Sequence, residues 1–132
     1  MRPLIVGALL IAVLAPGSVA HAAQGVTVPG LTSVGQCAST TIKLLTAMPS
    51  PVTGSPDGGT TVTYDNGAMG VSFDVDEALQ TAKVGDKVQL CLTSVPSNCP
   101  PDDSRGKFYK AIDRRTGKSW ELSDAEHMCG GG

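Results

Sequence analysis

Through most of this chain polar and apolar residues alternate with a period of two, the pattern of strands that bury a single face. Between Thr40 and Ala47, Ile42 and Leu44 fall on one side and Thr41 and Lys43 on the other. Met48-Pro49 closes that run, and the stretch Ser50 to Gly59, dense in proline and glycine, predicts an exposed loop. Val62 and Tyr64 then alternate with Thr61 and Thr63, Asp65-Asn66-Gly67 supplies residues that tolerate the positive φ of a tight turn, and Val71, Phe73 and Val75 alternate with Ser72, Asp74 and Asp76. Together these segments predict a β-hairpin.

Asp76 is placed to cap one or two helical turns through Ala82, after which Gly85-Asp86 turns the chain into a strand from Lys87 to Val95. In that strand Val88, Leu90 and Leu92 share a face, and Cys91 points the other way beside Gln89 and Thr93. The run Val95 to Gly106 contains Pro96, Pro100 and Pro101, which cannot feed a sheet ladder, and it predicts a loop. Strand signals resume with Phe108, Lys110 and Ile112 opposite Tyr109, Ala111 and Asp113; Thr116-Gly117 turns the chain, and Trp120 with Leu122 completes a second hairpin on the core side. Ser123 and Glu126 match a capping box, predicting one helical turn over Ser123 to Met128 that Gly130 stops. About six short strands with minimal helix define an all-β class, a small barrel or sandwich.

Residues 1–22 carry a different pattern. Arg2, twelve residues from Leu4 to Ala15 and the segment Ala20-His21-Ala22 predict a secretory signal peptide cleaved before Ala23. The apolar run falls short of the roughly 18 to 20 residues that a bilayer core requires, so no transmembrane anchor is expected in the mature form. The expected location is the periplasm or the exterior of a bacterial cell. Removing residues 1–22 from the 132-residue chain leaves 110, enough for one domain. Residues 23–36 are expected to be a flexible N-terminal segment and 37–132 the β domain.

Export changes the meaning of Cys37, Cys91, Cys99 and Cys129, because an even count in a small exported chain predicts disulfides. Seven residues separate Cys91 from Cys99, unlike the two of a redox Cys-x-x-Cys, and no short-spaced pairs announce a zinc site that would include His127. Four cysteines allow three pairings, whose summed loop entropies differ by only about 1 kcal/mol. Geometry separates them: if Lys107 to Asp113 pairs antiparallel with its neighbours, the strand holding Trp120 returns toward the Cys99 loop. The expected bridges are therefore Cys99 to Cys129 and Cys37 to Cys91.

Without Arg2 the chain holds nine basic and twelve acidic side chains, a balance that argues against nucleic acid as a partner. The distribution is uneven. Arg105, Lys107, Lys110, Arg114, Arg115 and Lys118 stand against Asp113 alone, whereas Asp57 to Asp86 holds six acids and one base. With Tyr109 exposed or half exposed beside them, these cations form a candidate binding surface for an anionic envelope component or an acidic protein. His127 is the one histidine left after cleavage, which narrows acid-base schemes, and no nucleophile elbow, His-Glu-x-x-His, P-loop or calcium-loop pattern occurs. No cofactor is expected. The chain reads as a non-catalytic binding or inhibitory module, with a small hydrolase or transferase built on His127 and the Asp102/Asp103 loop as the alternative.

The succession Gly85-Asp86, Leu90-Cys91-Leu92, Asn98-Cys99-Pro100-Pro101, Arg115-Thr116-Gly117, Ser119-Trp120 and His127 with Cys129-Gly130-Gly131 resembles a family of small exported proteobacterial proteins. The resemblance is dense from Gly85 to Gly131 and weaker upstream, at Gly35-Gln36-Cys37 and Tyr64-Asp65-Asn66-Gly67. It implies an exported, cysteine-containing domain and carries no substrate.

Overall fold

A computed structural model describes residues 28–50, 54 and 58–131; the leader, and residues 23–27 of the N-terminal segment, lie outside the described residues. The described residues form six strands, β1 (Cys37–Ala47), β2 (Thr60–Tyr64), β3 (Met69–Ser72), β4 (Lys87–Ser94), β5 (Phe108–Asp113) and β6 (Ser119–Ser123), with one short helix, α1 (Glu77–Thr81), between β3 and β4. They close into an antiparallel barrel in the order β1-β2-β3-β6-β5-β4. The chain thus makes two three-stranded meanders, joined where β1 meets β4 and where β3 meets β6. Both expected bridges, Cys37–Cys91 and Cys99–Cys129, are present.

Alternation drives the closure. Val88, Leu90 and Leu92 from β4, Tyr109 and Ala111 from β5, Trp120 and Leu122 from β6, and Val62 and Tyr64 from β2 all point inward and are buried. Ile42 joins them from β1, and Leu79 from α1 completes the core. The helix begins where expected: the Asp76 carboxylate accepts from the backbone N–H of Ala78 at 2.8 Å and of Leu79 at 3.1 Å, satisfying two donors that the first turn leaves open.

Four expectations change. Residues 28–36 are not a loose arm: Val28 and Leu31 are buried in the core, and the Gln36 side chain accepts from the Thr32 and Ser33 amides at 2.8 Å. Leu44 does not share the Ile42 face, because the β1–β2 register shifts between Ile42 and Leu44 and this bulge turns Leu44 outward. The extra residue lies where β1 changes partner, its first half pairing with β4 and its second with β2. Phe73 and Val75 are exposed because the chain leaves the sheet after Ser72 to reach the α1 cap. The helical turn over Ser123 to Met128 is absent: Ser123 ends β6, and the Asp124 carboxylate instead accepts from the Gly106 and Lys107 amides at 2.7 and 3.0 Å.

Candidate functional site

The expected basic surface divides into side chains that hold the fold and side chains left facing solvent. Tyr109 belongs to neither group. It pairs with Leu92 and Leu122, residues of the inward face, and is buried, which pushes its phenol up to about 12. The reading of Tyr109 as an exposed partner of the cations is therefore corrected.

Arg105 and Arg115 are committed to carboxylates. Arg105 grips Asp103 through Nε and Nη2, both at 2.9 Å, and its Nη2 also donates to the Gly131 carbonyl at 3.3 Å. The Gly130 amide donates to the same Asp103 carboxylate at 3.0 Å. These bonds, with the Cys99–Cys129 bridge, fasten the proline-rich loop to the C-terminal loop. Chiefly through Arg105, the Asp103 carboxyl is held far below the ordinary carboxylate range.

Arg115 reaches across from the β5–β6 turn to the turn that precedes β4. Its Nε and Nη2 donate to Asp86 at 2.6 and 2.7 Å, and Nη2 donates to the Thr81 carbonyl at 2.7 Å. The Lys83 amide adds a bond to Asp86 at 2.8 Å. Arg115, and after it the Lys83 amide, hold the buried Asp86 carboxyl down at about 2. Asp113, fully buried, orders the other end of the clamp by accepting from the Arg115 amide at 2.8 Å.

A pKa depressed by folding means that this stabilisation is complete above the unfolded value near 4 and is lost as pH falls through about 2. Asp103 contributes in the same direction, so the Asp86 share is isolated by comparing the wild type with Asp86→Asn. Thermal midpoints of the two are expected to differ most at neutral pH and to converge toward pH 2. A constant gap across that range would remove the Asp86 carboxylate from the account.

The remaining cations lie outside. Lys110 and Lys118 form no ion pair among the described residues, and the exposed Arg114 makes one long bond, to Gln89 at 3.3 Å. Lys107 donates to the Ser104 hydroxyl at 3.2 Å. The barrel adds two cations that sequence proximity could not group with these. Lys87 is exposed at the start of β4, on the outward face with Gln89 and Cys91, and its carbonyl accepts from the Arg114 amide at 2.9 Å. Lys43 is exposed in the β1 bulge. The outer face of β1, β4 and β5 thus presents Lys110 level with the Cys37–Cys91 bridge and Lys87, Arg114 and Lys43 toward the other end of the β1–β4 ladder, with Glu121 of β6 across from Lys110 at one edge.

Of the residues of the alternative reading, His127 lines a cleft that the two aspartates do not. His127 is exposed on the rim of an open cleft of about 360 Å³ at the β3–β6 seam, lined by Phe73, Phe108, Glu121, Glu126 and Met128 among others. Neither Asp102 nor Asp103 lines it. Asp102 is exposed in a positive-φ position of the proline-rich loop, and Asp103 is occupied by Arg105 and Gly130. All four cysteines are oxidised, so none offers a thiolate to a metal or an electrophile.

No family model, curated protein or solved structure matches the chain.

Proposed function

We propose that this protein is a non-catalytic binding module of the bacterial envelope, exported through its leader and engaging an anionic partner with the outer face of β1, β4 and β5. The observation that carries the reading is the division of the cations: Arg105 and Arg115 are consumed by Asp103 and Asp86, while Lys43, Lys87, Lys110 and Arg114 remain on one sheet face. Four cations held on a rigid sheet attract anionic groups without the cost of ordering a flexible segment. Two disulfides suggest an oxidising, extracytoplasmic setting, and no helix among the described residues is long and apolar enough to cross a membrane. The resemblance to small exported proteobacterial proteins supports the periplasm or the exterior as that setting.

The test uses the oxidised product recovered after export, whose N-terminal sequence is expected to start at Ala23. Retention on immobilised polyglutamate is expected at low salt and to weaken as salt rises. The pair Lys87→Glu and Arg114→Glu, both on exposed side chains, is expected to lower the affinity by about tenfold while leaving the thermal midpoint in place. Equal retention of the charge-reversed and native proteins would remove this face from the function.

A further inference from the structure

We infer that one end of this cationic face is built to seat on an anionic phospholipid surface, with Val84 and Leu44 entering the headgroup layer inside a collar of Lys43, Lys83 and Lys87. The inference rests on the reading of the face as a binding surface for anions and adds the kind of partner and the side chains that touch it.

Val84 and Leu44 are among the most exposed aliphatic side chains of the barrel, at 61% and 53%. They occupy adjacent chain segments. The Gly85 amide donates to the Ile42 carbonyl at 2.8 Å and the Ile42 amide to the Asp86 carbonyl at 2.9 Å, so the turn bearing Val84 runs beside the β1 bulge bearing Leu44. The lysines are neighbours in the chain, Lys43 before Leu44 and Lys83 before Val84, with Lys87 at the head of β4, and all three are exposed. The acids nearby do not cancel them. Asp86 is buried and bonded to Arg115 and Asp113 is buried beneath the clamp, which leaves Asp65, exposed beside β1 where its amide donates to the Thr41 carbonyl, as one carboxylate against three lysines.

Two local features hold these apolar side chains outward. The turn Lys83 to Asp86 is closed by the Asp86 amide donating to the Lys83 carbonyl at 3.0 Å, with Gly85 at φ +93°, and it sets Val84 at the apex. Arg115 then fixes that turn through both the Asp86 carboxylate and the Thr81 carbonyl. On β1, the bulge at Lys43 sends Leu44 out while Leu45 packs against the core. Bulges re-aim side chains in this way beside functional sites.

The shape selects the partner. Val84 stands on a turn apex and Leu44 on a convex strand, so a protein would need a matching concave pocket, whereas a lipid surface deforms around them. Apolar side chains at the interface with lysines at headgroup level combine apolar burial with attraction to anionic lipid.

The exported, oxidised protein is mixed with vesicles of phosphatidylglycerol and phosphatidylethanolamine, and with vesicles of phosphatidylcholine alone. Co-sedimentation is expected with the first and not the second. Val84→Ser with Leu44→Thr, at positions too exposed to disturb the core, is expected to lower vesicle affinity by about tenfold and to leave retention on polyglutamate unchanged. Equal binding of this variant and the wild type to anionic vesicles would overturn the inserted tip. Retention of the wild type on polyglutamate without vesicle binding would overturn the lipid partner and leave the anion-binding face standing. Failure on both supports would end both readings.

Discussion

Reductant is expected to remove about 4 kcal/mol of stability for each disulfide opened. The bridges close sequence separations of 54 residues (Cys37–Cys91) and 30 residues (Cys99–Cys129), and loop entropy depends only weakly on that difference. A domain of this size is stable by about 5 to 15 kcal/mol, so loss of both takes most of that margin. The double substitution of Cys37 and Cys91 by alanine is expected to lower the thermal midpoint by about 15 °C or more. The two bridges should differ in what they release. Cys37 and Cys91 face each other across the β1–β4 ladder, which keeps its hydrogen bonds when the bridge is gone. Cys99 and Cys129 join two loops that share no ladder, leaving Arg105, Asp103 and the Gly130 amide to hold them. Amide exchange should therefore rise locally around residues 98–106 and 127–131 when Cys99 and Cys129 are replaced. A reduced protein melting within a degree or two of the oxidised one would refute the account.

Much of the barrel was legible because its signals are local. Val62 and Tyr64 alternate with threonines, Val88, Leu90 and Leu92 recur at every second position, and both hairpins turn on residues suited to positive φ, Gly67 and Gly117 among them. Even the sulfur pairing followed from one topological step, the return of β6 toward the Cys99 loop. What was not legible depends on contacts between distant segments. No period in Ile42-Lys43-Leu44-Leu45 marks Lys43 as the extra residue, since the bulge arises from β1 serving β4 and β2 at once. The burial of Val28 and Leu31 is hidden for a similar reason, in that the core accepts them only once the barrel exists to be covered.

The binding face shows the same limit in electrostatic form. A run of cations in sequence is neither a patch nor a surface. Arg105 and Arg114 are nine positions apart and chemically alike, yet one is locked to Asp103 and the other is exposed. Lys87 and Lys43 lie outside the run and enter the face only through the β1–β4–β5 pairing. Asp86, 29 residues from Arg115, is the partner that converts a predicted binding arginine into a structural one.

Trp120→Ala is expected to cost roughly 3 to 5 kcal/mol, the usual range for deleting a buried large aromatic side chain. The reason lies at the weakest seam of the barrel. β3 and β6 are joined by a single ladder pair, Val71 with Ser123, because the chain departs after Ser72. Closure there relies on side chains. Leu122 lies so close to Gly70 that an added Cβ would sit 3.0 Å from its own, and the Trp120 indole N–H donates to the Tyr64 hydroxyl at 2.9 Å, tying β6 to β2 past β3. Both rings are buried, and burial drives the Tyr64 phenol well above its ordinary pKa, against the opposing pull of the indole N–H. Tyr64→Phe keeps the volume and leaves the indole donor without a partner, which is expected to cost about 1 to 2 kcal/mol. The effects should not add, because Trp120→Ala has already removed the donor that Tyr64→Phe strands. Urea unfolding of the two single variants and the double variant measures this coupling, and simple additivity would show that the pair does not close the seam.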